Sequence, residues 1–283
     1  MIRLNYYVRR KPGMSVEDFQ SYWRDNHGPL WAKHAETLGC RRYVQVHDAP
    51  NHEVAIVLKD GYKVTGEAYD GYSVACWSEI AVLERALSTP KGQAAWKELL
   101  EDEREFIDHD RSMLSFGTDH AVLNPRGKLV ASEDSEMVRG AYFPKGLPGI
   151  ELGELHRHWI AIHGGLTHDF STYSPNIRYF QVHSVENIIA KEMRSARDMT
   201  PSERYFGHAE VWISMSEMEK AAESPRRQEL FPIFIADIDA FCDMDTGYFI
   251  LGKEYYFVDK DIYTLPLPQP EFMAEPDISA VSS

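Results

Sequence analysis

The pattern of apolar and polar positions divides the chain into two similar series of short strands and amphipathic helices. Runs that alternate, or that are rich in β-branched and aromatic residues, predict four strands in each series. These strands are predicted at 3–9, 41–47, 72–77, 112–123, 138–143, 177–183, 207–213 and 247–258. Apolar residues at helical spacing follow the first and the third strand of each series, which predicts the order βαββαβ twice.

Residue types that are typical of helix ends indicate where the helices begin and end. Ser15 is a typical N-cap residue, and Phe19 and Trp23 follow it one turn apart. This helix is predicted to end at His27, where a Gly-Pro pair interrupts the pattern. Longer helices, each with a proline in its first part, are predicted at 86–108 and 221–243.

The two series are also similar in sequence. The segment FQSYWRDNHGPL at 19–30 resembles LHRHWIAIHGGL, which lies 136 residues further on. RRYVQVH at 41–47 resembles IRYFQVH at the same distance. Downstream the distance becomes 135 residues, which aligns Trp77 with Trp212. A nearly constant distance over most of the chain indicates a tandem duplication.

The duplication predicts an α+β fold of two ferredoxin-like βαββαβ repeats. Helices would cover one face of each antiparallel sheet, and the sheet of the other repeat would cover the second face. The repeats are assigned to residues 1–125 and 137–259, joined by a polar linker. A proline-rich tail at 260–283 is expected to run over the surface.

Composition narrows the class of protein. Hydrophobic residues make up 43% of the chain, as in folded globular proteins, and the formal net charge is −14. This charge argues against nucleic acid and anionic membranes as partners. The three cysteines form no C-x-x-C pair, and neither a signal peptide nor a membrane-length apolar segment is found, so a cytoplasmic location is expected. Motifs for nucleotide cofactors and for serine nucleophiles are not found either.

Several motifs together resemble the EthD-type domain of the dimeric α/β-barrel superfamily. They are W-x-x-x-H-G-P-L after K-P-G-x-S, then R-Y-x-Q-x-H, ALSTPKG and EDEREFID. The resemblance covers nearly all of the first repeat, and the second repeat departs from it in several places. Most members are single domains that dimerise. The resemblance therefore implies that the two repeats pack as an intramolecular dimeric α/β barrel with a cavity in each half.

The same resemblance implies a range of activities. The superfamily includes cofactor-free polyketide cyclases, decarboxylases, dehydratases, muconolactone isomerases and quinol monooxygenases, and also haem-binding oxidoreductases. The fold alone does not decide among them, so the chemistry has to be inferred from candidate site residues.

His27 and His163 are the first candidates for catalysis. Each follows a tryptophan by four positions, so the two side chains share a helix face. At a helix end, the helix dipole would raise the pKa of the imidazolium, and such a histidine could take a proton from a carbon next to a carbonyl. The alternative is structural, with the histidine bonding the last carbonyls of the helix.

A second group of candidates comes from the second strand of each repeat. Alternation places a tyrosine, a glutamine and a histidine on one face of each strand. These residues are Tyr43, Gln45 and His47 in the first repeat, and Tyr179, Gln181 and His183 in the second. If the row faces the helices, it offers a proton donor, an amide and a base to a substrate carbonyl. If it faces the partner sheet, it forms a buried polar seam.

Tryptophans and further histidines complete the candidates. Trp23, Trp159, Trp77 and Trp212 could form an aromatic wall for a flat phenolic ligand, or they could be ordinary core residues. The second repeat is rich in histidine, with His156 among the additional ones. Their spacing does not match a metal-binding motif, so no metal site is assigned, and surface positions are expected for them.

These observations favour a cofactor-independent lyase, cyclase or isomerase that acts on an aromatic or polyketide-like carbonyl compound. Two alternatives remain open: a haem-binding oxidoreductase with one histidine as axial ligand, and a non-catalytic protein that binds a hydrophobic small molecule. Which repeat carries a working site, and whether two chains associate as a homodimer, are not decided by the sequence.

Overall fold

Eight antiparallel strands form a closed barrel with helices packed around it. The computed structural model describes residues 1–56, 67–124, 129–171 and 173–260. We refer to residues 1–124 as the first half and to residues 129–260 as the second half. The strands are β1 (Ile2–Val8), β2 (Arg42–Asp48), β3 (Gly71–Trp77), β4 (Met113–Leu123), β5 (Val138–Gly146), β6 (Asn176–Val185), β7 (Gly207–Ile213) and β8 (Cys242–Asp259). Their positions confirm the predicted strands, apart from shifts at the ends.

The strand order shows how the two halves are joined. Around the barrel the order is β1-β3-β2-β8-β5-β7-β6-β4. The halves meet where β2 pairs with β8 and where β4 pairs with β6. Each half therefore contributes four neighbouring strands, and the barrel closes only when both are present. The tail at 261–283 lies outside the described residues.

Helices lie on the outside of the barrel. They are α1 (Val16–Tyr22), α2 (Gly28–His34), α3 (Ile80–Leu87), α4 (Pro90–Phe106), α5 (Leu152–His158), α6 (Gly164–Ser171), α7 (Ile188–Ser195), α8 (Met215–Ala222) and α9 (Pro225–Asp239). Helix α7 lies between β6 and β7, where the predicted order βαββαβ contains no helix. None of the helices in the described ranges is both long and apolar enough to cross a membrane.

The first helix begins as predicted but continues beyond its predicted end. The Ser15 side chain accepts a hydrogen bond from the Asp18 amide at 3.0 Å, which confirms the N-cap. The chain then passes through a π-helical turn at Trp23–His27 directly into α2. Pro29 is tolerated because it lies in the first turn of α2, where its missing N–H needs no partner. The prediction that His27 ends a helix is therefore wrong.

Each long helix predicted near the end of a repeat is two helices. Thr89 lies between α3 and α4, and its side chain accepts a hydrogen bond from the Gly92 amide at 3.0 Å. Ser224 caps α9 in the same way. The prolines that follow these caps are first-turn residues of new helices, so they begin α4 and α9 instead of lying inside a longer helix.

The sequence alignment of Trp77 with Trp212 is also wrong. Trp77 pairs with Ile2 on the neighbouring strand, whereas the corresponding strand of the second half pairs Val138 with Ile213. Trp212 is thus shifted by one position and points to the opposite face. The distance between corresponding residues therefore changes from 136 to 135 after β7, and not before it.

The barrel interior contains a buried charged network that joins both halves. Arg139 donates to Glu210 at 2.8 Å and to Glu254 at 2.9 Å, and Arg3 donates to Glu210 at 3.0 Å. Burial would raise the pKa of Glu210, but Arg139 and Arg3 hold it well below its usual range. Aromatic residues of both halves, such as Tyr7 and Phe143, pack beside this network. The barrel interior is therefore packed. Any space for a ligand has to lie between the sheet and the helices.

Candidate functional site

The predicted Tyr–Gln–His rows face the helices in both halves. Gln45 donates to the Trp23 carbonyl at 2.8 Å, and Gln181 donates to the Trp159 carbonyl at 2.9 Å. Each of these carbonyls also accepts the backbone bond that closes a π-helical turn. The second turn spans Trp159–His163. The two glutamines therefore hold turns of a rare geometry that is frequent at functional sites.

The histidines at the ends of these rows lie against tryptophans. His47 stacks on Trp23 with ring centroids 4.5 Å apart, and His183 stacks on Trp159 at 4.9 Å. Burial is the largest cause that lowers the pKa of both histidines to about 3. Both imidazoles are therefore neutral near pH 7 and are weak bases. Each bonds the side-chain oxygen of its neighbouring glutamine, which orients that amide towards the π-helical turn.

Each π-helical turn ends in a histidine that is paired with an aspartate. His27 Nδ1 lies 2.6 Å from Asp102, and His163 Nδ1 lies 2.7 Å from Asp237. A carboxylate on Nδ1 keeps the proton there and leaves Nε2 as the basic atom, as in catalytic His–Asp pairs. Burial lowers the pKa of His163, and the bond to Asp237 opposes this shift. The expectation that a helix end raises this pKa is wrong, because the helix continues beyond His163.

A cavity opens beside the His163–Asp237 pair, between the sheet of the second half and its helices. Its volume is about 130 Å³. Its wall contains three of the predicted site residues: Trp159, His163 and Tyr179. Most of the remaining wall is apolar or aromatic and includes Phe170, Phe231, Phe234, Ile238, Phe241 and Phe249. An apolar cavity of about 150 Å³ is known to hold benzene, so this space is suited to a molecule with one ring.

The corresponding space in the first half is occupied by tryptophan. Trp31 stacks on Tyr43 with ring centroids 4.6 Å apart, and the edge of Trp96 lies against Trp31 at 6.0 Å. The residue that corresponds to Trp31 in the second half is Thr167, 136 positions further on. The side chain at this position is therefore much smaller in the second half, where the cavity lies beside Tyr179. The pair of His27 and Asp102 thus lies in a filled core.

Other predicted site residues lie away from this cavity. The indole N–H of Trp77 donates to the Leu38 carbonyl at 2.8 Å in the helix layer of the first half. Trp212 lies in the barrel interior and donates to Glu254 at 3.1 Å. Neither tryptophan is placed to contact a ligand in the cavity.

Two residues of the site were not predicted from the sequence. Asp237 is the partner of His163, and Arg227 lies in the cavity wall. Asp237 could have been found in the sequence, because Asp102 lies 135 positions before it in the corresponding helix. No repeat signal exists for Arg227, since its counterpart is Gly92.

His156, one of the additional histidines for which surface positions are expected, is half-buried and packed against other rings. Its ring stacks on His183 at 4.6 Å, and His120 contacts the same ring at 4.2 Å. His156 Nε2 lies 2.7 Å from the Phe206 carbonyl. No group of three side chains is arranged to hold a metal ion in the part of the chain that the structure describes.

Comparisons with known proteins agree with this architecture. Residues 11–110, about a third of the chain, match the EthD domain, and no curated protein sequence matches. The solved structure of an anthrone oxidase-like protein is similar at 11% identity and a TM-score of 0.50, with 92% of this chain and 94% of that chain covered. A candidate monooxygenase from Fusobacterium nucleatum subsp. nucleatum is similar at 6% identity and a TM-score of 0.51, with 90% and 93% covered. At such identities the likeness shows the fold alone: a mixed α+β fold with an eight-stranded antiparallel barrel.

Proposed function

We propose that the second half carries a cofactor-independent active site that removes a proton from an aromatic carbonyl or phenolic compound. The observation that carries this proposal is that His163, whose Nδ1 is bonded to Asp237, lies in the wall of a one-ring aromatic cavity. The same first step serves any lyase, cyclase or isomerase whose reaction starts by forming an enolate through loss of a proton from carbon. The proposal includes the origin of the chain in a duplicated EthD-like unit, whose first copy has become a structural support.

In this proposal His163 is the general base. Asp237 holds the proton on Nδ1, so the lone pair of Nε2 is available to take a proton from the carbon next to the substrate carbonyl. A pKa lowered by burial keeps His163 neutral, which is the form that accepts a proton. His158 bonds the other oxygen of Asp237 at 2.8 Å and restricts rotation of the carboxylate.

Tyr179 is the group that stabilises the enolate oxygen. Burial raises the pKa of Tyr179 to about 12, so its hydroxyl stays protonated and can donate a hydrogen bond. A donor of this kind stabilises the negative charge that develops on oxygen in an apolar surrounding. The aromatic wall holds the ring of the substrate and excludes water from the reacting atoms.

A protein with the same fold is described as anthrone oxidase-like, and the chemistry of an anthrone is compatible with the same first step. An anthrone is an aromatic ketone whose methylene group is acidic, so its oxidation can begin with loss of a proton from carbon. The cavity of this chain has the size of one ring, which favours smaller substrates than the three fused rings of an anthrone.

Exchange of hydrogen for deuterium tests the proposal without knowledge of the full reaction. The protein is incubated with 2′-hydroxyacetophenone in D₂O, and loss of the methyl signal is followed by proton NMR. We expect exchange with the unaltered chain and with the His168→Gln control, in which an exposed histidine is changed. We expect the His163→Gln variant to lose exchange and to keep its thermal midpoint. Binding without exchange would support a carrier protein instead, and exchange that survives His163→Gln would disprove the assignment of the base.

A further inference from the structure

Arg227 is an unusual residue for the wall of this cavity. The wall contains aromatic and aliphatic side chains, and no carboxylate lies among its described residues. The guanidinium of Arg227 lies near two phenyl rings, 5.3 Å from Phe231 and 5.9 Å from Phe170. Its Nε is buried and has no hydrogen-bond partner within the described ranges. A buried donor without a partner is unfavourable unless a ligand supplies an acceptor.

Two fully buried arginines of the chain are paired with carboxylates. Arg139 and Arg197 each contact a glutamate at 2.7 to 2.9 Å, although Nε of Arg139 also has no hydrogen-bond partner among the described residues. Arg226, the neighbour of Arg227, is exposed and pairs with Glu229 at 2.8 Å. Arg227 therefore differs from these residues. Each of them is paired with a carboxylate, whereas Arg227 lies in the wall of a cavity.

The position of Arg227 in its helix also favours an anionic ligand. It is the third residue of α9, where the exposed amides carry partial positive charge, so a cation there does not stabilise the helix. An anion close to this turn is stabilised by the amides as well as by the guanidinium. In the first half, where tryptophan fills the corresponding space, the residue at this position is Gly92. The arginine is thus present only in the half that has the cavity.

We propose that the ligand of the cavity is a one-ring aromatic carboxylate, held through its carboxylate by Arg227. This inference rests on the proposed function, because it takes the cavity as the substrate site. A planar guanidinium with several N–H groups matches a carboxylate in geometry and charge. Ser174 and Asn176 lie in the same wall and are available as further hydrogen-bond groups.

The two ends of the cavity then have different tasks. Ten residues of α9 separate Arg227 from Asp237, which corresponds to about 15 Å along the helix axis. Arg227 and His163, which is bonded to Asp237, both lie in the cavity wall. The carboxylate end binds and orients the ligand, and the opposite end of the ligand faces His163. The arrangement therefore selects a substrate with a carboxylate at one end of the ring and the reactive carbon at the other.

Calorimetric titration with benzoate and benzamide tests this inference. The two compounds have nearly the same shape, and only benzoate is charged. We expect the unaltered chain to bind benzoate about tenfold more tightly than benzamide, the difference that one charge-assisted hydrogen bond contributes. Arg227→Gln should remove this preference, and Arg227→Lys should retain part of it. Arg226→Gln is the matched control and should bind as the unaltered chain does.

The outcomes separate this inference from the proposed function. Equal binding of both compounds by the unaltered chain, or a preference for benzoate that survives Arg227→Gln, would overturn the carboxylate assignment and leave the cavity as an aromatic site. If neither compound binds and toluene does not bind either, the cavity is not a ligand site, and both the inference and the proposed function fail. Thermal midpoints of the variants establish that each one is folded.

Discussion

Trp31 lies almost parallel to Tyr43, with ring planes 12° apart and centroids 4.6 Å apart. This stack fills the space between the sheet and the helices of the first half. Its counterpart in the second half combines Tyr179 with Thr167, and a cavity lies beside Tyr179. The two halves therefore differ in side-chain volume at this position, and the half with the smaller residue is the one with the cavity.

Removal of the Trp31 side chain should lower the stability of the protein. Replacement of Trp31 by threonine, the residue found in the second half, removes most of a buried indole, and such truncations cost about 3–5 kcal/mol of unfolding free energy. Urea unfolding measures this loss. Added indole should restore part of the stability of Trp31→Thr and should not affect the unaltered chain, because a ligand that binds only the folded state stabilises it. A loss below about 1 kcal/mol would mean that the space is not filled by Trp31.

The reverse change should fill the cavity of the second half. Thr167→Trp places an indole beside Tyr179, so we expect loss of benzoate and 2′-hydroxyacetophenone binding. The cost in stability should be about 1–3 kcal/mol, since the existing cavity accepts part of the added volume. Titration calorimetry and urea unfolding on the same sample give both quantities. Binding that persists in a folded Thr167→Trp variant would place the ligand elsewhere.

A buried ion pair between the halves should contribute strongly when one partner is removed. Arg197 of the second half donates to both oxygens of Glu103 in the first half, at 2.7 and 2.8 Å. Glu103→Gln or Arg197→Met alone should cost about 3–5 kcal/mol, because an unpaired charge remains buried. The double variant should cost much less than the sum of the two, and urea unfolding of all four proteins gives the coupling energy. Additive losses would show that the pair does not join the halves energetically.

Stability should decrease in mild acid because of His47. Burial is the main cause that lowers its pKa to about 3; nearby Arg24 adds to the shift, and Asp25 opposes it. The ordinary pKa of histidine is about 6.5, so between these values the unfolded chain binds a proton that the folded chain does not. The contribution of His47 is therefore complete above about pH 6.5 and is lost as the pH falls, by up to about 1.4 kcal/mol per pH unit.

Unfolding in urea between pH 6.5 and pH 5 checks this dependence. His47→Gln should have a smaller slope of stability against pH than the unaltered chain. His168→Gln, which changes an exposed histidine, should leave the slope as it is. Equal slopes for all three proteins would mean that His47 is protonated in the folded state.

Much of the architecture could be predicted from local patterns. The strands follow from alternation and β-branched runs, and the N-cap at Ser15 follows from residue type alone, because these signals act over a few neighbouring residues. The similarity of the two series placed His27 with His163 and Tyr43 with Tyr179, and these pairs do occupy corresponding places in the structure. The prediction was wrong where a single-residue shift reversed the face of Trp212, because strand register depends on pairing with a distant strand.

The site itself required the tertiary structure. His163 and Asp237 are 74 residues apart, so only folding shows that they form a pair. The effect of Thr167 also depends on volume, because a small residue opens a cavity only when its neighbours do not move in to fill it. The sequence thus determined the elements, their order and the candidate side chains through short-range preferences. The tertiary structure decided which half has a cavity, which histidine lies in the cavity wall and that Nε of Arg227 has no hydrogen-bond partner among the described residues. These features depend on packing between distant segments.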